Sequence, residues 1–138
     1  MSPTDARCTL EWLWYYHIMI PFLKEKIAKL QSEMAIRKQQ GRCYDDLLMD
    51  IELHREWLQE RIEGESRILG FLDEYADEDD KDILLRHFQQ GQRYLEIGDA
   101  LFYSERTITK KIKTALEKIA ERSGDVTKLS VLRFHKLT

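Results

Sequence analysis

The sequence has few of the residues that interrupt helices and none of the long apolar segments that cross membranes. Its 138 residues include only two prolines and six glycines, and 34% of them are charged. With no alternating apolar pattern of useful length, this composition predicts an all-α protein. No run of about 18 apolar residues occurs, because His17 and Pro21 interrupt the most apolar stretch, so we expect neither a membrane span nor a signal peptide. These absences favour a cytoplasmic protein.

Cysteine is also scarce, which argues against a disulfide framework or a zinc site. Cys8 and Cys43 are too few and too poorly spaced for either, and we expect both to be buried free thiols. No nucleophile, metal or phosphate-binding motif is recognisable, so we expect no catalytic residue, no cofactor and no enzyme activity. Asp46, Asp50 and His54 have the i, i+4, i+8 spacing of metal ligands, but a solvated helix face is the favoured interpretation.

Charge is unevenly distributed along the chain. Residues 1–79 contain 10 Lys and Arg against 17 Asp and Glu, whereas residues 80–138 contain 12 against 8. The acidic run from Asp73 to Asp82 fits a loop before a helix N-terminus better than a calcium site, because it lacks the spacing of a calcium loop. The positive excess in the second part predicts that an anionic partner binds there.

The stretch from Asp82 to Glu121 has the periodicity of a helix-turn-helix unit. A first helix ending at Gly91 has one apolar side, made of Ile83, Leu84, Leu85 and Phe88. A short second helix has Tyr94, Ile97 and Leu101 on one face, and Phe102 and Tyr103 then form the turn. Ser104 is the expected N-cap of the third helix. A tight turn followed by a capped basic helix favours binding to duplex DNA.

The third helix is predicted to bury one face and to present cations on the other. Its buried face comprises Ile108, Ile112, Ala115, Leu116 and Ile119. Arg106, Thr109, Lys110 and Lys113 form the predicted groove-facing set, with Arg106 as the candidate for guanine recognition. Lys111 and Lys118 are expected to contact phosphates. The full predicted DNA-binding set is Ser104, Arg106, Thr107, Thr109, Lys110, Lys111, Lys113 and Lys118. The alternative is the solvated face of an ordinary three-helix bundle.

The segment YLEIGDALFYSERTITKKIKTALEKI resembles the region-4 helix-turn-helix of sigma factors and, more closely, phage transcriptional regulators of the RinA/ArpU type. The matching residues are Glu96, Ile97, Leu101, Tyr103, Ser104, Arg106, Thr107, Ile108, Ala115, Leu116, Lys118 and Ile119. Two positions depart from the pattern: Gly98 replaces an alanine, and Phe102 replaces the glycine of the turn. The resemblance covers residues 68–121 and implies a small regulator of phage or prophage genes with a helical N-terminal part.

The N-terminal half is predicted to form a long helical hairpin. A heptad seam for a homodimer or partner interface comprises Leu13, Tyr16, Ile20, Leu23, Ile27, Leu30 and Met34. Pro21 is expected to kink this helix or to start a new one. The next helix is expected to begin at Asp45 or Asp46 and to bend or break near Gly64. Its predicted inward face comprises Leu47, Leu48, Ile51, Leu58 and Ile62.

Aromatic residues are concentrated in the first helix. The residues Trp12, Trp14, Tyr15, Tyr16 and Phe22 are expected mainly in a core, although another chain could cover some of them. In the tail, Lys128, Arg133 and Lys136 fit either a basic arm or a packed end.

We therefore expect three regions in an all-α chain: a hairpin over 1–75, a helix-turn-helix over 76–122 and a basic tail over 123–138. The predicted function is that of a sequence-specific DNA-binding transcriptional regulator acting as a homodimer. A host protein such as RNA polymerase is a further expected partner. The alternative is an inhibitor or adaptor that binds another protein and whose helix-turn-helix is autoregulatory or vestigial.

Overall fold

A computed structural model describes the backbone of residues 1–137 and the side chains of residues 1–124. Within these residues the chain forms five helices and no strand, which confirms the predicted all-α class. The helices are α1 (Pro3–Gln39), α2 (Asp45–Tyr75), α3 (Glu78–Phe88), α4 (Tyr94–Leu101) and α5 (Glu105–Leu137). A break in helical geometry interrupts α5 at Gly124, where φ is 65° and ψ is −169°.

The chain divides into two compact units. The head unit comprises Met1–His17 and Gly64–Thr138, and the hairpin unit comprises Ile18–Glu63. The head unit therefore contains the start of α1 and the end of α2 as well as α3, α4 and α5. This division differs from the boundaries expected from sequence, because the start of α1 and the end of α2 belong with α3, α4 and α5.

The hairpin unit is built on an apolar seam between α1 and α2. Its core comprises Ile27, Leu30, Leu47 and Ile51, with Met34, Tyr44 and Leu58 partly buried against it. Gly41 has a positive φ of 67° after the end of α1, a conformation that glycine adopts without strain. Arg37 on α1 donates a 2.8 Å hydrogen bond to Asp46 in the first turn of α2. This bond holds the end of α1 to the start of α2.

The seven residues of the predicted dimer seam are packed within the single chain. Leu13, Tyr16, Ile20, Leu23, Ile27 and Leu30 are buried, and Met34 packs against the hairpin core. Most of the seam is therefore used for packing within this chain, and a homodimer stays a prediction. Neither Pro21 nor Gly64 starts a new helix, since α1 and α2 are assigned as continuous through them.

The predicted inward face of α2 is only partly right. Leu47 and Ile51 are buried, but Leu48 and Ile62 are exposed. At 100° per residue, Leu48 is turned about 80° from the mean direction of Leu47, Ile51 and Leu58, which accounts for its exposure. Ile62 has nearly the same direction as Ile51, and nothing in the structure explains its exposure. Met49, Leu53 and Trp57 are exposed as well, and form a second apolar row on the same helix.

The head unit packs α3, α4 and α5 against one another, and the start of α1 contacts them. Trp14 of α1 lies over Gly91, where φ is 70° and a Cβ would come within 2.5 Å of the indole ring. Arg7 donates to the Tyr94 hydroxyl at 3.4 Å and lies over the Phe88 ring. The buried side chains of α3, α4 and α5 comprise Ile83, Leu84, Phe88, Ile97, Ile108, Ile112, Ala115, Leu116, Ile119 and Ala120.

The two cysteines and some aromatic side chains are more exposed than the sequence predicts. Cys8 and Cys43 are free, but both are exposed, so the prediction of buried thiols was wrong. Tyr16 is buried as expected, whereas Trp14 and Phe22 are exposed. Among the described residues, no helix has the length and apolarity needed to cross a membrane.

Candidate nucleic-acid interface

The turn between α4 and α5 has a phenylalanine where a glycine is usual, and the helix before it has a glycine where a larger residue is usual. Phe102 follows the last residue of α4 and has φ 63° and ψ 39°, the left-handed conformation that glycine usually supplies. Tyr103 N–H donates to the Gly98 carbonyl at 2.8 Å and closes the helix end. A Cβ at Gly98 would overlap the carbonyl oxygen of Tyr103. The missing side chain at Gly98 therefore lets the turn fold tightly back on α4.

The two departures from the sequence pattern are thus linked by geometry. Gly98 is buried and leaves room for the turn, while Phe102 adopts the positive φ with a side chain that is 94% exposed. A left-handed conformation costs a residue with a Cβ about 1–2 kcal/mol. The sequence alone could not indicate that the space-making glycine lies in the helix rather than in the turn.

The start of α4 is fixed by a charged capping interaction. Arg93 precedes the helix, and its backbone N–H and side-chain Nε both donate to Glu96 Oε1, at 3.3 and 2.9 Å. The hydrogen bond from the Arg93 side chain is the main reason that the pKa of Glu96 lies below its usual value. Because Glu96 is half-exposed, this pair orients the first turn of α4 and adds little stability.

Ser104 caps α5 as the sequence predicted. Its hydroxyl oxygen accepts a 3.1 Å hydrogen bond from the backbone N–H of Thr107, and it lies 2.9 Å from the Thr107 hydroxyl. Ser104 and Thr107, both in the predicted DNA-binding set, therefore stabilise the helix start. Their position at the N-terminus also leaves backbone N–H groups of the first turn directed outward, where an anion is stabilised.

The outer face of α5 comprises Arg106, Lys110 and Lys113, at i, i+4 and i+7. All three are exposed, and none forms an ion pair or hydrogen bond with a side chain that the structure describes. They lie opposite the buried Ile108 and Ile112. Thr109 is exposed beside them, and its hydroxyl donates to the Glu105 carbonyl at 3.0 Å. The first three turns of α5 thus present three available cations.

A second cationic face of α5 has a different environment. We call it the flank face; it comprises Lys111, Lys118 and Arg122. Lys118 lies 3.3 Å from Asp77 and 3.8 Å from Asp80, and Arg122 donates to Asp77 at 2.8 Å. The Lys111 ammonium lies 4.8 Å from the centre of the Tyr103 ring. The side chains of Lys111 and Lys118, both predicted to contact phosphates, therefore already have partners within the chain.

Asp77 connects the junction of α2 and α3 to α5. The hydrogen bond from Arg122, followed by that from Lys118, holds the pKa of Asp77 below its usual value. Arg122 also donates to the backbone carbonyl of Tyr75 at 3.2 Å. The groups are half-exposed, so solvent screens the attraction, and the cluster fixes position more than it adds free energy. Local sequence patterns give no signal for this role, because Asp77 and Arg122 lie 45 positions apart in the chain.

The other candidate sites have ordinary structural contacts. Asp46 binds Arg37, and His54 Nδ1 lies 2.7 Å from the Asp50 carbonyl, so the three residues spaced as metal ligands are not assembled. No group of three or more His, Cys, Asp or Glu among the described residues is placed to hold a metal ion. Lys128, Arg133 and Lys136 lie outside the side chains that the structure describes.

Chemically, the outer face of α5 supplies three cations, a hydroxyl and a helix N-terminus, and it has no nucleophile paired with a base. Such an arrangement suits an extended anion. Comparison with known proteins gives no match: no protein-family model, no curated protein and no solved structure is similar to this chain.

Proposed function

We propose that this protein is a sequence-specific DNA-binding transcriptional regulator of the phage type and that α4 and α5 form its helix-turn-helix. The observation that carries the proposal is the outer face of α5, where Arg106, Lys110 and Lys113 are exposed beside a capped helix start. Cations in the first turns of a second helix after a tight turn are the arrangement that enters a major groove.

The distribution of charge limits the proposed interface to the start of α5. Glu117 and Glu121 follow on the exposed side of α5, four and eight residues after Lys113. Like charge would repel phosphates there, so the DNA is expected to contact the first three turns. Arg106 is the proposed base-reading residue because its guanidinium can donate two parallel hydrogen bonds to guanine. Lys110 and Lys113 are the proposed phosphate contacts.

The test is selection from a random duplex library, followed by titration of the selected duplex at fixed salt. One enriched sequence is expected, and replacing Arg106→Ala together with Lys110→Ala should weaken its binding by roughly ten- to a hundredfold. Helix content, measured by circular dichroism, should stay unchanged because both side chains are exposed.

The matched control is Lys24→Ala with Lys26→Ala, two exposed lysines of the hairpin unit. This pair removes the same net charge, so binding should change little if the contacts of α5 are specific. Equal losses in both double variants would mean that only net charge matters, and no enriched sequence would contradict the proposal.

A second candidate function has support from α4. Leu95 in the first turn of α4 is exposed, and Phe102, which follows the end of α4, is almost fully exposed. Asp99, one turn after Leu95 on the same side of α4, is exposed as well. An acidic, apolar surface suits a protein and repels DNA, which favours the inhibitor or adaptor role for this helix. Absence of an enriched duplex, combined with a stable complex lost in Phe102→Ala, would favour this role over DNA binding.

A further inference from the structure

The hairpin unit has an exposed row of apolar side chains that its own core does not use. We define the α2 stripe as Met49, Leu53 and Trp57, which follow one another at steps of four residues. Met49 is 71% exposed, Leu53 41% and Trp57 38%. At 100° per residue, Met49 and Leu53 lie on the side of α2 opposite Leu47 and Ile51, and Trp57 lies about 100° from the mean direction of those two residues. A two-helix unit buries one face of each helix, and this is the other face of α2.

One residue of the stripe is held in place by neighbouring groups. The ring of Trp57 lies 5.0 Å from that of His54, and His54 Nδ1 lies 2.7 Å from the Asp50 carbonyl one turn earlier. The indole therefore has a packed neighbour on its own helix. A tryptophan that is already ordered loses little side-chain entropy on binding, which is why this residue type often dominates the energy of an interface.

Acidic side chains border the α2 stripe. From Asp45 to Glu63 the helix contains seven Asp and Glu against two Arg. Glu52 and Glu56 lie three residues after Met49 and Leu53, and so adjoin them on the helix surface. Neither carboxylate forms an ion pair or hydrogen bond with a described side chain. The stripe is thus an apolar row beside uncompensated negative charge.

We propose that the α2 stripe binds a basic amphipathic helix of a partner protein. The apolar row fits leucines spaced three and four residues apart, and Glu52 and Glu56 fit lysines or arginines beside them. Negative charge of this density repels nucleic acid and anionic lipid surfaces. It also disfavours a second α2 stripe, because two acidic faces would meet. Binding here is independent of DNA binding by α5.

In the experiment, the full chain is titrated with a synthetic lysine-rich helix of about 18 residues that carries leucines on one face. Calorimetry measures the affinity, and amide NMR shifts locate the binding site. A saturable complex is expected, with shifts centred on residues 49–57. Trp57→Ala should weaken binding by roughly tenfold or more, and Glu52→Gln with Glu56→Gln should reduce its salt dependence.

Two controls distinguish binding at the α2 stripe from non-specific binding. The same peptide with glutamates in place of lysines should not bind, because its charge is repelled. Ile36→Ala removes an exposed aliphatic side chain from α1 of the same unit and should leave the affinity within about twofold. The Glu52→Gln with Glu56→Gln variant leaves the apolar side chains intact, so it serves as the test if Trp57→Ala does not fold.

Three results would overturn the proposal. The first is no saturable binding of the basic helix to the wild-type chain. The second is equal binding by the wild type, Trp57→Ala and the double glutamine variant. The third is a dimer of the wild-type chain in sedimentation equilibrium that becomes a monomer in Trp57→Ala. The α2 stripe would then bind a second copy of this chain and not a basic helix. None of these results bears on the duplex selection, so the two proposals can fail separately.

Discussion

The outer face and the flank face of α5 contain the same residue types in different surroundings. Arg106, Lys110 and Lys113 on the outer face have no described side chain as a partner. On the flank face, Lys118 and Arg122 are both paired with Asp77. The difference arises because α5 packs its flank face against the acidic start of α3, whereas no described element covers the outer face.

This contrast shows that a basic helix is not uniformly available to an anionic ligand. A lysine that already has a carboxylate partner must lose it before it can bind a phosphate, and that loss offsets part of the gain. The cations that matter for a ligand are therefore those without an internal partner. Counting all six Lys and Arg between Ser104 and Arg122 would give twice the number of cations on the outer face.

The salt dependence of DNA binding gives the sharpest comparison of the two faces. Lys110→Ala with Lys113→Ala should lower the slope of log affinity against log salt by about 1.8, since each lost phosphate contact removes about 0.9. Lys118→Ala with Arg122→Ala removes the same charge but should change the slope little. Fluorescence anisotropy titrations over a range of salt concentrations measure both. Equal changes in slope would show that the two faces contribute alike.

The turn that presents the outer face should be sensitive to volume at Gly98. Gly98→Ala is expected to lower the free energy of unfolding by about 1–3 kcal/mol, because its methyl group would overlap the Tyr103 carbonyl. Without that overlap, alanine would instead stabilise the helix by about 1 kcal/mol. Urea denaturation distinguishes the two signs.

Phe102→Gly is the matched control at the other residue of the same turn. It should raise the free energy of unfolding by up to about 1 kcal/mol, since glycine adopts the left-handed conformation without strain. Destabilisation by Phe102→Gly would mean that the phenyl ring has a packing role despite its exposure.

The ion pairs of the flank face should make a small part of the folding stability depend on pH. Asp77 has a lowered pKa in the folded chain, so its contribution to stability is present above the usual aspartate pKa and disappears as the pH falls through the folded value. Asp77→Asn should therefore lower the melting temperature at pH 7, and the difference from the wild type should shrink below about pH 4. Glu117→Gln, an exposed carboxylate next to Lys118, is the control and should show little such convergence.

The apolar periodicity was sufficient to predict most of the helices. The spacing of Ile108, Ile112 and Ile119 predicted the buried face of α5, and Ser104 predicted its start, because both signals depend on residues within a few turns. The predicted new helix at Pro21 and break at Gly64 were wrong. Each weakens a helix locally, but both lie within long helices that bury apolar residues along their length, and packing outweighed propensity.

A local apolar pattern does not determine which surface covers it, as the heptad seam of α1 and the α2 stripe show. A heptad repeat at Ile20, Leu23 and Ile27 fits a second helix from the same chain or from another, and the structure pairs it within the chain. Met49, Leu53 and Trp57 have helical spacing too, yet they remain exposed. Which apolar row is buried depends on the direction in which α1 and α2 face each other, and this direction is set by contacts along both helices.

The sequence by itself determined the helical class, the start of α5 at Ser104 and the cations in the first turns of α5, since these follow from periodicity and from residue type. Only the tertiary structure decided which cations are free, because the carboxylate of Asp77 reaches Lys118 and Arg122 from a different helix junction. It also decided that Gly98 makes room for the turn while Phe102 adopts the strained conformation. Contacts between residues distant in the chain depend on packing, and packing is a property of the folded molecule.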